Sequence, residues 1–407
     1  GVESQHLCYP VPPREKPTLR AQNSGELRQT LGDDMALLIT SKASSLEKLE
    51  VLGMASSYDV CAPPSVESLR GKLPGVYFAW SSGGRVPLLK TLFTNQCSRD
   101  CRYCAFSSLV DGPRYSFRVE ELVDLFLRLF EKGLVQGLFL SSAIPSHPDD
   151  TMERMVEVAQ RLRKREGFKG YIHLKILPGT SPELAKKALK VASRVSINLE
   201  APLESSLQSL APSKSLRSQI LPLIPLIRDH FTTQFVVGIG RERDFHLLRA
   251  VESLKNRYGL RRAYFQAFRP VPGTPFEDRP PGSRTRQLRL YQGEFLVRCY
   301  GFSAEELVDE RGDLPQQVDP KTYWASTHPH FFPIDLDRAT YHQLLRVPGI
   351  GPKLARRLVT LRSRGELSPL HIEKAGINLR KSGPFLLLKG KPLIRGTFHQ
   401  RELNLNL

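Results

Sequence analysis

The chain has 407 residues, long enough for two or three domains with separate cores. Hydrophobic residues at 40% and charged residues at 25% are the proportions of a soluble globular protein, which sets aside fibrous and wholly disordered classes. Lys and Arg (59) outnumber Asp and Glu (41), and the resulting +18 net charge points to a polyanionic partner, nucleic acid foremost.

Residues 1–45 are rich in Pro, Arg, Gln and Ser and lack apolar periodicity, so a disordered lead is expected there. Leu46, Leu49 and Leu52 predict a short helix over Leu46–Met54, the first part of an approach segment over 46–87. Ala62-Pro63-Pro64 stops it, and Ser82-Gly83-Gly84 turns the chain toward a first strand. Strand and helix then alternate. Strands are expected over Leu88–Thr94, Gln136–Ser141, Tyr171–Ile176, Arg194–Glu200, Thr232–Gly238 and Arg261–Arg269. Helices are expected over Val119–Lys132, Met152–Glu166, Pro182–Val191, Leu216–His230 and Asp244–Tyr258. This alternation predicts an α/β fold with a parallel sheet, and six units suit a partial (βα)6 TIM-type barrel over 88–300. Helical patterns at Arg284–Tyr300 and Glu305–Val308 follow the barrel. Residues 301–332 read as a linker, and 333–407 as a small all-α domain. No run of eighteen apolar residues occurs and no signal peptide is visible, so no membrane role is expected.

Cys97, Cys101 and Cys104 lie in the loop after the first barrel strand, where barrel folds place their functional groups. Thiols separated by three residues and then two can wrap one face of a cubane [4Fe-4S] cluster, leaving one iron without a protein ligand. The alternative, a three-Cys zinc site, lacks the second cysteine doublet that zinc knuckles carry. Cys8, Cys61 and Cys299 are scattered without a pairing pattern, which argues against a disulfide framework and for the cytoplasm.

Strand side chains alternate between faces, so each barrel strand divides into an apolar and a polar set. Tyr171, His173 and Lys175 form one polar set. Ser196, Asn198 and Glu200 form another, with Gln234 and Gln266 on later strands. Helices cover the outside of a barrel, so the polar sets should face the lumen and line a site. Tyr264, His173 and Cys299 are conceivable radical or proton relays.

Near the C-terminus, Val347-Pro348-Gly349-Ile350-Gly351-Pro352-Lys353 separates two helical patterns. Two glycines around an apolar residue make a tight turn that resembles a helix–hairpin–helix motif. Such a turn presents backbone N–H groups to a phosphate. Lys353, Arg356, Arg357, Arg362 and Arg364 add charge. Contacts of this kind carry no sequence information. A second, degenerate hairpin is conceivable around Gly376.

The cysteine run, with Tyr103 just before its last thiol, resembles the signature of radical S-adenosylmethionine (SAM) enzymes. Ser57-Tyr58-Asp59-Val60-Cys61, Asn198-Leu199-Glu200, Leu210-Ala211-Pro212, Gln234-Phe235-Val236-Val237-Gly238 and His328-Pro329-His330-Phe331-Phe332-Pro333, together with the hairpin, resemble the DNA modification/repair radical SAM family. The resemblance implies a [4Fe-4S] cluster held by the three cysteines and SAM as cofactor. The reduced cluster would cleave SAM, and the 5′-deoxyadenosyl radical would take a hydrogen atom from DNA. It also implies a cofactor pocket made by Tyr103, Ser141, Ser142, Lys175, Asn198, Glu200, Lys214, Gly238 and Gly240. In it, Asn198 and Glu200 would hold the ribose and Lys214 the methionine carboxylate. Leu140-Ser141-Ser142-Ala143 departs from the usual Gly-Gly-Glu-like end of the second strand, and the carboxylate for the methionine amine is missing. Nucleic-acid contacts would come from Gly349, Gly351, Lys353, Arg356 and Arg357. Implied partners are DNA, a flavodoxin- or ferredoxin-type electron donor and a uracil-DNA-glycosylase-like protein. An RNA-modifying radical SAM enzyme, and a non-catalytic DNA-binding protein with a structural or redox-sensing cluster, are the alternatives.

Overall fold

The computed structural model describes residues 45–56, 73–81 and 84–394. The lead expected over 1–45 lies, apart from Ser45, outside the described residues, as do Cys8 and Cys61. The chain divides into two compact units. Described residues up to 241, with 257–282, form the first, and 242–256 with 283–394 form the second.

The first unit is an open α/β barrel. Helix α1 (Ser45–Ala55) precedes strands β1 (Val76–Ser81) and β2 (Gly84–Leu92), which pair antiparallel. From β2 onward the sheet is parallel, through β3 (Gly137–Ser141), β4 (Tyr171–Lys175), β5 (Arg194–Ser196), β6 (Phe231–Val237) and β7 (Arg262–Ala267). The strand order is β1-β2-β3-β4-β5-β6-β7, with no pairing between β7 and β1, so the sheet is a partial barrel. Helices α2 (Val119–Glu131), α3 (Pro148–Lys164), α4 (Pro182–Val191) and α5 (Glu204–Leu210) connect the strands.

Register separates the two faces. Leu89, Leu138, Ile172, Leu174, Val195 and Phe235 share the apolar face, and all are fully or nearly fully buried. Each such side chain contributes about 2 kcal/mol of hydrophobic stabilisation. Lys90, Phe139 and His173 are aligned across β2, β3 and β4 on the opposite face, as are Lys175, Ser196 and Thr232 across β4, β5 and β6. The Phe139 and His173 ring centroids lie 4.3 Å apart with their planes tilted by 51°, and the Lys90 ammonium lies 5.3 Å from the Phe139 centroid.

Three expectations change. Residues 216–230 do not form an α-helix: a π-turn over Leu216–Ile220 runs into 3-10 turns over Leu221–Ile227. Pro222 and Pro225 lack the N–H groups that an α-helix needs. Strand β1 was not anticipated. The C-terminal part is not all-α either, because β8 (Ile334–Asp335), β9 (Leu386–Leu388) and β10 (Lys391–Pro392) form a small sheet. Strands of two or three residues are too short to leave an alternating pattern.

The second unit contains α6 (Asp244–Tyr258, to residue 256), α7 (Arg284–Tyr300) and α8 (Pro320–Thr327). Asp244 joins them: its buried carboxylate accepts from Arg286 Nε at 2.7 Å and from the Leu314 N–H at 2.9 Å. Residues 301–332, expected as a linker, carry α8 and an aromatic cluster. Arg346 stacks on Phe302 at 3.9 Å and on Trp324 at 4.8 Å. Helices α9 (Tyr341–Arg346), α10 (Pro352–Ser363), α11 (Pro369–Lys374) and α12 (Leu379–Ser382) follow. No described helix is long and apolar enough to cross a membrane.

Candidate active site and basic hairpin

The cysteine loop leaves the C-terminal end of β2 and is fixed by its own backbone. Cys104 N–H donates to the Cys101 carbonyl at 3.2 Å, and Ser108 N–H to the Arg99 carbonyl at 2.8 Å. Two amides point at sulfur: Arg99 N–H to Cys97 Sγ and Phe106 N–H to Cys104 Sγ, each at 3.4 Å. Burial, then the neighbouring Cys101, pushes the Cys104 thiol up to about 12. Burial also raises Cys101, while Lys214 pulls it back. Cys97 acts on both, so the three thiols share one neighbourhood. Among the described residues, no three Cys, His, Asp or Glu side chains form a site for a single metal ion. Three neighbouring thiols with amides directed at sulfur fit an iron–sulfur cluster.

Glu200, just beyond β5, is 6% exposed and has a left-handed backbone at φ 63°. Such a conformation costs on the order of 1–3 kcal/mol and persists only where its surroundings impose it. Here they do: Glu200 N–H donates to the Gln234 carbonyl at 2.9 Å, and its own carbonyl accepts from Val236 N–H at 2.8 Å. Its carboxylate meets Lys214 Nζ and Asn198 Nδ2, both at 3.4 Å. Tyr103 also hydrogen-bonds Glu200, and burial followed by that negative charge lifts the phenol well above its usual value. Burial pulls the Lys214 ammonium down, but Cys101, Glu200, Cys104 and Cys97 outweigh it and hold the charge in place. The structure therefore joins Cys97, Cys101, Cys104, Tyr103, Asn198, Glu200 and Lys214 in one electrostatic group.

The remaining expected pocket residues end neighbouring strands. Ser141 is buried at the end of β3, and Ser142 Oγ is buried without a hydrogen-bond partner among the described residues. Lys175 ends β4 opposite Ser196. Gly238 follows β6 at φ 92°, where a Cβ would lie 2.8 Å from Gly282 Cα. Its glycine is thus required by the chain's own crossing at Gly282. Gly240 lies in the bend beyond it, half-buried.

Two positioning residues were not legible as such. Asp100, between the thiols, accepts from Ser213 N–H at 2.9 Å, and Arg99 Nη1 donates to the Ser213 carbonyl at 3.4 Å. Burial pushes the Asp100 carboxyl up, but the Ser213 hydrogen bonds outweigh this and lower it. The cysteine loop is thereby clipped to the turn that carries Lys214.

In the second unit, α9 opens with a capping box between Thr340 and Gln343 and ends at Val347. Gly349 takes φ 86°, and a Cβ there would lie 2.5 Å from Ser382 Oγ. Ser382 Oγ itself donates to the Pro348 carbonyl at 2.8 Å. Gly351 is the N-cap of α10. Beneath the turn, the buried Lys321 ammonium donates to the Ile350 carbonyl at 2.6 Å and faces the Tyr300 ring at 4.7 Å. Lys353, Arg356 and Arg357 are exposed on α10 and pair with no carboxylate among the described residues. Arg362 serves the fold instead, donating to the carbonyls of Leu336 (3.1 Å) and Ala339 (2.5 Å). A second glycine turn, Gly376 at φ 90°, separates α11 from α12.

Residues 91–254 match the Radical SAM superfamily. A 7,8-didemethyl-8-hydroxy-5-deazariboflavin synthase from Methanococcoides burtonii is 24% identical over 217 residues, covering 48% of this chain and 63% of the relative. The Archaeoglobus fulgidus protein of the same name is 26% identical over 209 residues, covering 46% and 61%. The chain thus spans less than two thirds of these relatives. Among solved structures, the [FeFe]-hydrogenase maturase HydG is 15% identical with a TM-score of 0.44, covering 68% of this chain and 65% of that one. Methylornithine synthase (PylB) is 14% identical with a TM-score of 0.44, covering 68% and 74%. Residues 91–254, which carry Cys97, Cys101 and Cys104, are thus similar to a superfamily that works through a [4Fe-4S] cluster and S-adenosylmethionine.

Proposed function

We propose that the protein is a radical SAM enzyme that modifies or repairs DNA. When bound, the cluster and SAM supply hydrogen-atom abstraction; the chain supplies binding, orientation and exclusion of water. Cys97, Cys101 and Cys104 hold the cluster. Glu200 and Asn198 would receive the ribose hydroxyls, and Lys214 the methionine carboxylate. Ser141, Ser142 and adjoining carbonyls accept the methionine amine. Tyr103 covers the site beside the thiols. Lys175, Gly238 and Gly240 complete the pocket rim.

The observation that carries the DNA assignment is the hairpin around Gly349. Its turn is buttressed from below by Lys321 and Ser382, while the cations on the following helix are left for a partner. Gly349, Gly351, Lys353, Arg356 and Arg357 form the phosphate contact. A base in duplex would have to leave the stack to be attacked. A flavodoxin- or ferredoxin-type donor supplies the electron, and a uracil-DNA-glycosylase-like protein is a candidate companion.

The test is anaerobic reconstitution with dithionite and SAM, with duplex DNA or structured RNA present. Formation of 5′-deoxyadenosine stimulated by DNA, with a changed nucleoside in the digested DNA, supports the proposal. Stimulation by RNA alone moves the substrate to RNA.

A further inference from the structure

Arg114 lies ten residues beyond the last cysteine, and among the described residues its guanidinium bonds only to main-chain carbonyls. Nη1 donates to Asn95 O and to Phe106 O, each at 3.0 Å. Nη2 donates to Ser107 O at 3.0 Å and also to Val110 O. Asn95 stands just before Cys97, and Phe106 just after Cys104. A single planar fork therefore ties the two ends of the cysteine loop together. Lysine, a point charge on a flexible stem, cannot span four acceptors in this way.

The segment that presents Arg114 is itself fixed. Asn95 Oδ1 accepts from Tyr115 N–H at 2.6 Å, and Asn95 Nδ2 donates to the Pro113 carbonyl at 3.0 Å. Thr94 and Ser116 form an antiparallel bridge. Phe106, whose carbonyl Arg114 holds, is also the residue whose N–H points at Cys104 Sγ. Holding that carbonyl sets the orientation of the residue that donates to sulfur. Hydrogen bonds to cluster sulfurs are one of the levers that set reduction potential.

We propose that Arg114 is the positioning residue of the cluster loop: it closes the loop around the three thiols and fixes the Phe106 amide on Cys104. Without the fork, the loop loses its closure and the amide its aim. The sulfur then keeps more negative charge, and the reduced cluster is less stable.

The test uses the full chain, reconstituted anaerobically, as Arg114→Met and Arg114→Lys. Arg118→Met serves as an exposed arginine control. Iron per chain, chelator-resistant iron and the cluster midpoint potential are measured, with thermal melting as the check on folding. Both Arg114 variants are expected to release iron to chelator roughly tenfold faster than wild type, and to show a more negative potential, as outer-shell changes at metal sites do. The control should match wild type. The proposal is overturned if the variants lose thermal stability while iron retention and potential stay at wild-type values. It is also overturned if Arg114→Met does not fold and Arg114→Lys is indistinguishable from wild type in both readouts.

Discussion

The barrel site and the C-terminal hairpin both place lysine at a glycine- or acid-bearing turn, and they use it oppositely. Lys214 is 11% exposed and bound within the protein, its charge matched by Glu200 and the thiols. Lys353 and its neighbours on α10 are exposed and unmatched among the described residues. A matched, desolvated cation holds a site in shape before anything binds. An unmatched, solvated one gains from meeting an anion and weakens as salt rises. On the proposed function, chemistry belongs to one region and attachment to the other, and that division can be broken from either side.

The largest effect should follow Cys104→Ala. Iron loading and 5′-deoxyadenosine formation are expected to vanish, while DNA affinity by fluorescence anisotropy stays at the wild-type level. Loss of affinity as well would show that the two regions are not separable. Next, Lys214→Met leaves Glu200 buried without its cation and should destabilise the first unit by about 3 kcal/mol, read by urea unfolding. Adding Glu200→Gln should restore part of that loss.

Replacing Lys353, Arg356 and Arg357 together with Ala should flatten the dependence of log affinity on log salt by about 2 to 3. An unchanged slope would remove these cations from the interface. Gly349→Val forces a branched side chain into a left-handed backbone and against Ser382 Oγ, so DNA affinity should fall roughly tenfold. Cluster content should not change.

The smallest effect concerns pH. Burial holds the Lys321 ammonium well below the usual lysine value of 10.5, so the unfolded chain binds that proton more tightly than the folded unit does. Stability of the second unit should therefore rise as pH climbs from the depressed value toward 10.5, and level off above it. Lys321→Met should flatten that rise in a series of thermal melts.

Chemistry that depends on spacing along the chain could be read from the sequence. The cysteine run, the alternation of strands and helices, and the Gly349-Ile350-Gly351 turn are all local patterns. The helix over Asp244–Tyr258 coincides with its expected bounds. Strand β1 could have been found: Val76-Tyr77-Phe78 ahead of Ser82-Gly83-Gly84 is a hairpin signal. What escaped depends on distance. Arg114 reaches a carbonyl nineteen residues back, and Asp100 meets Ser213 across 113 residues. No period or motif encodes such pairs. Nor does any local rule place an ordinary Glu in a left-handed backbone, as the Gln234 and Val236 bonds do at Glu200.

The clip between Asp100 and Ser213 bears on how the protein matures. It makes the thiol-bearing segment and the Lys214 turn a single mechanical body, reinforced where Arg102 N–H meets the Leu210 carbonyl at 2.9 Å. Inserting iron would stiffen both at once. On the proposed reading, metal held by the thiols would be felt at the turn that receives the sulfonium ligand. Deuterium uptake at the Ser213 and Lys214 amides, slowed by iron alone, would display that coupling.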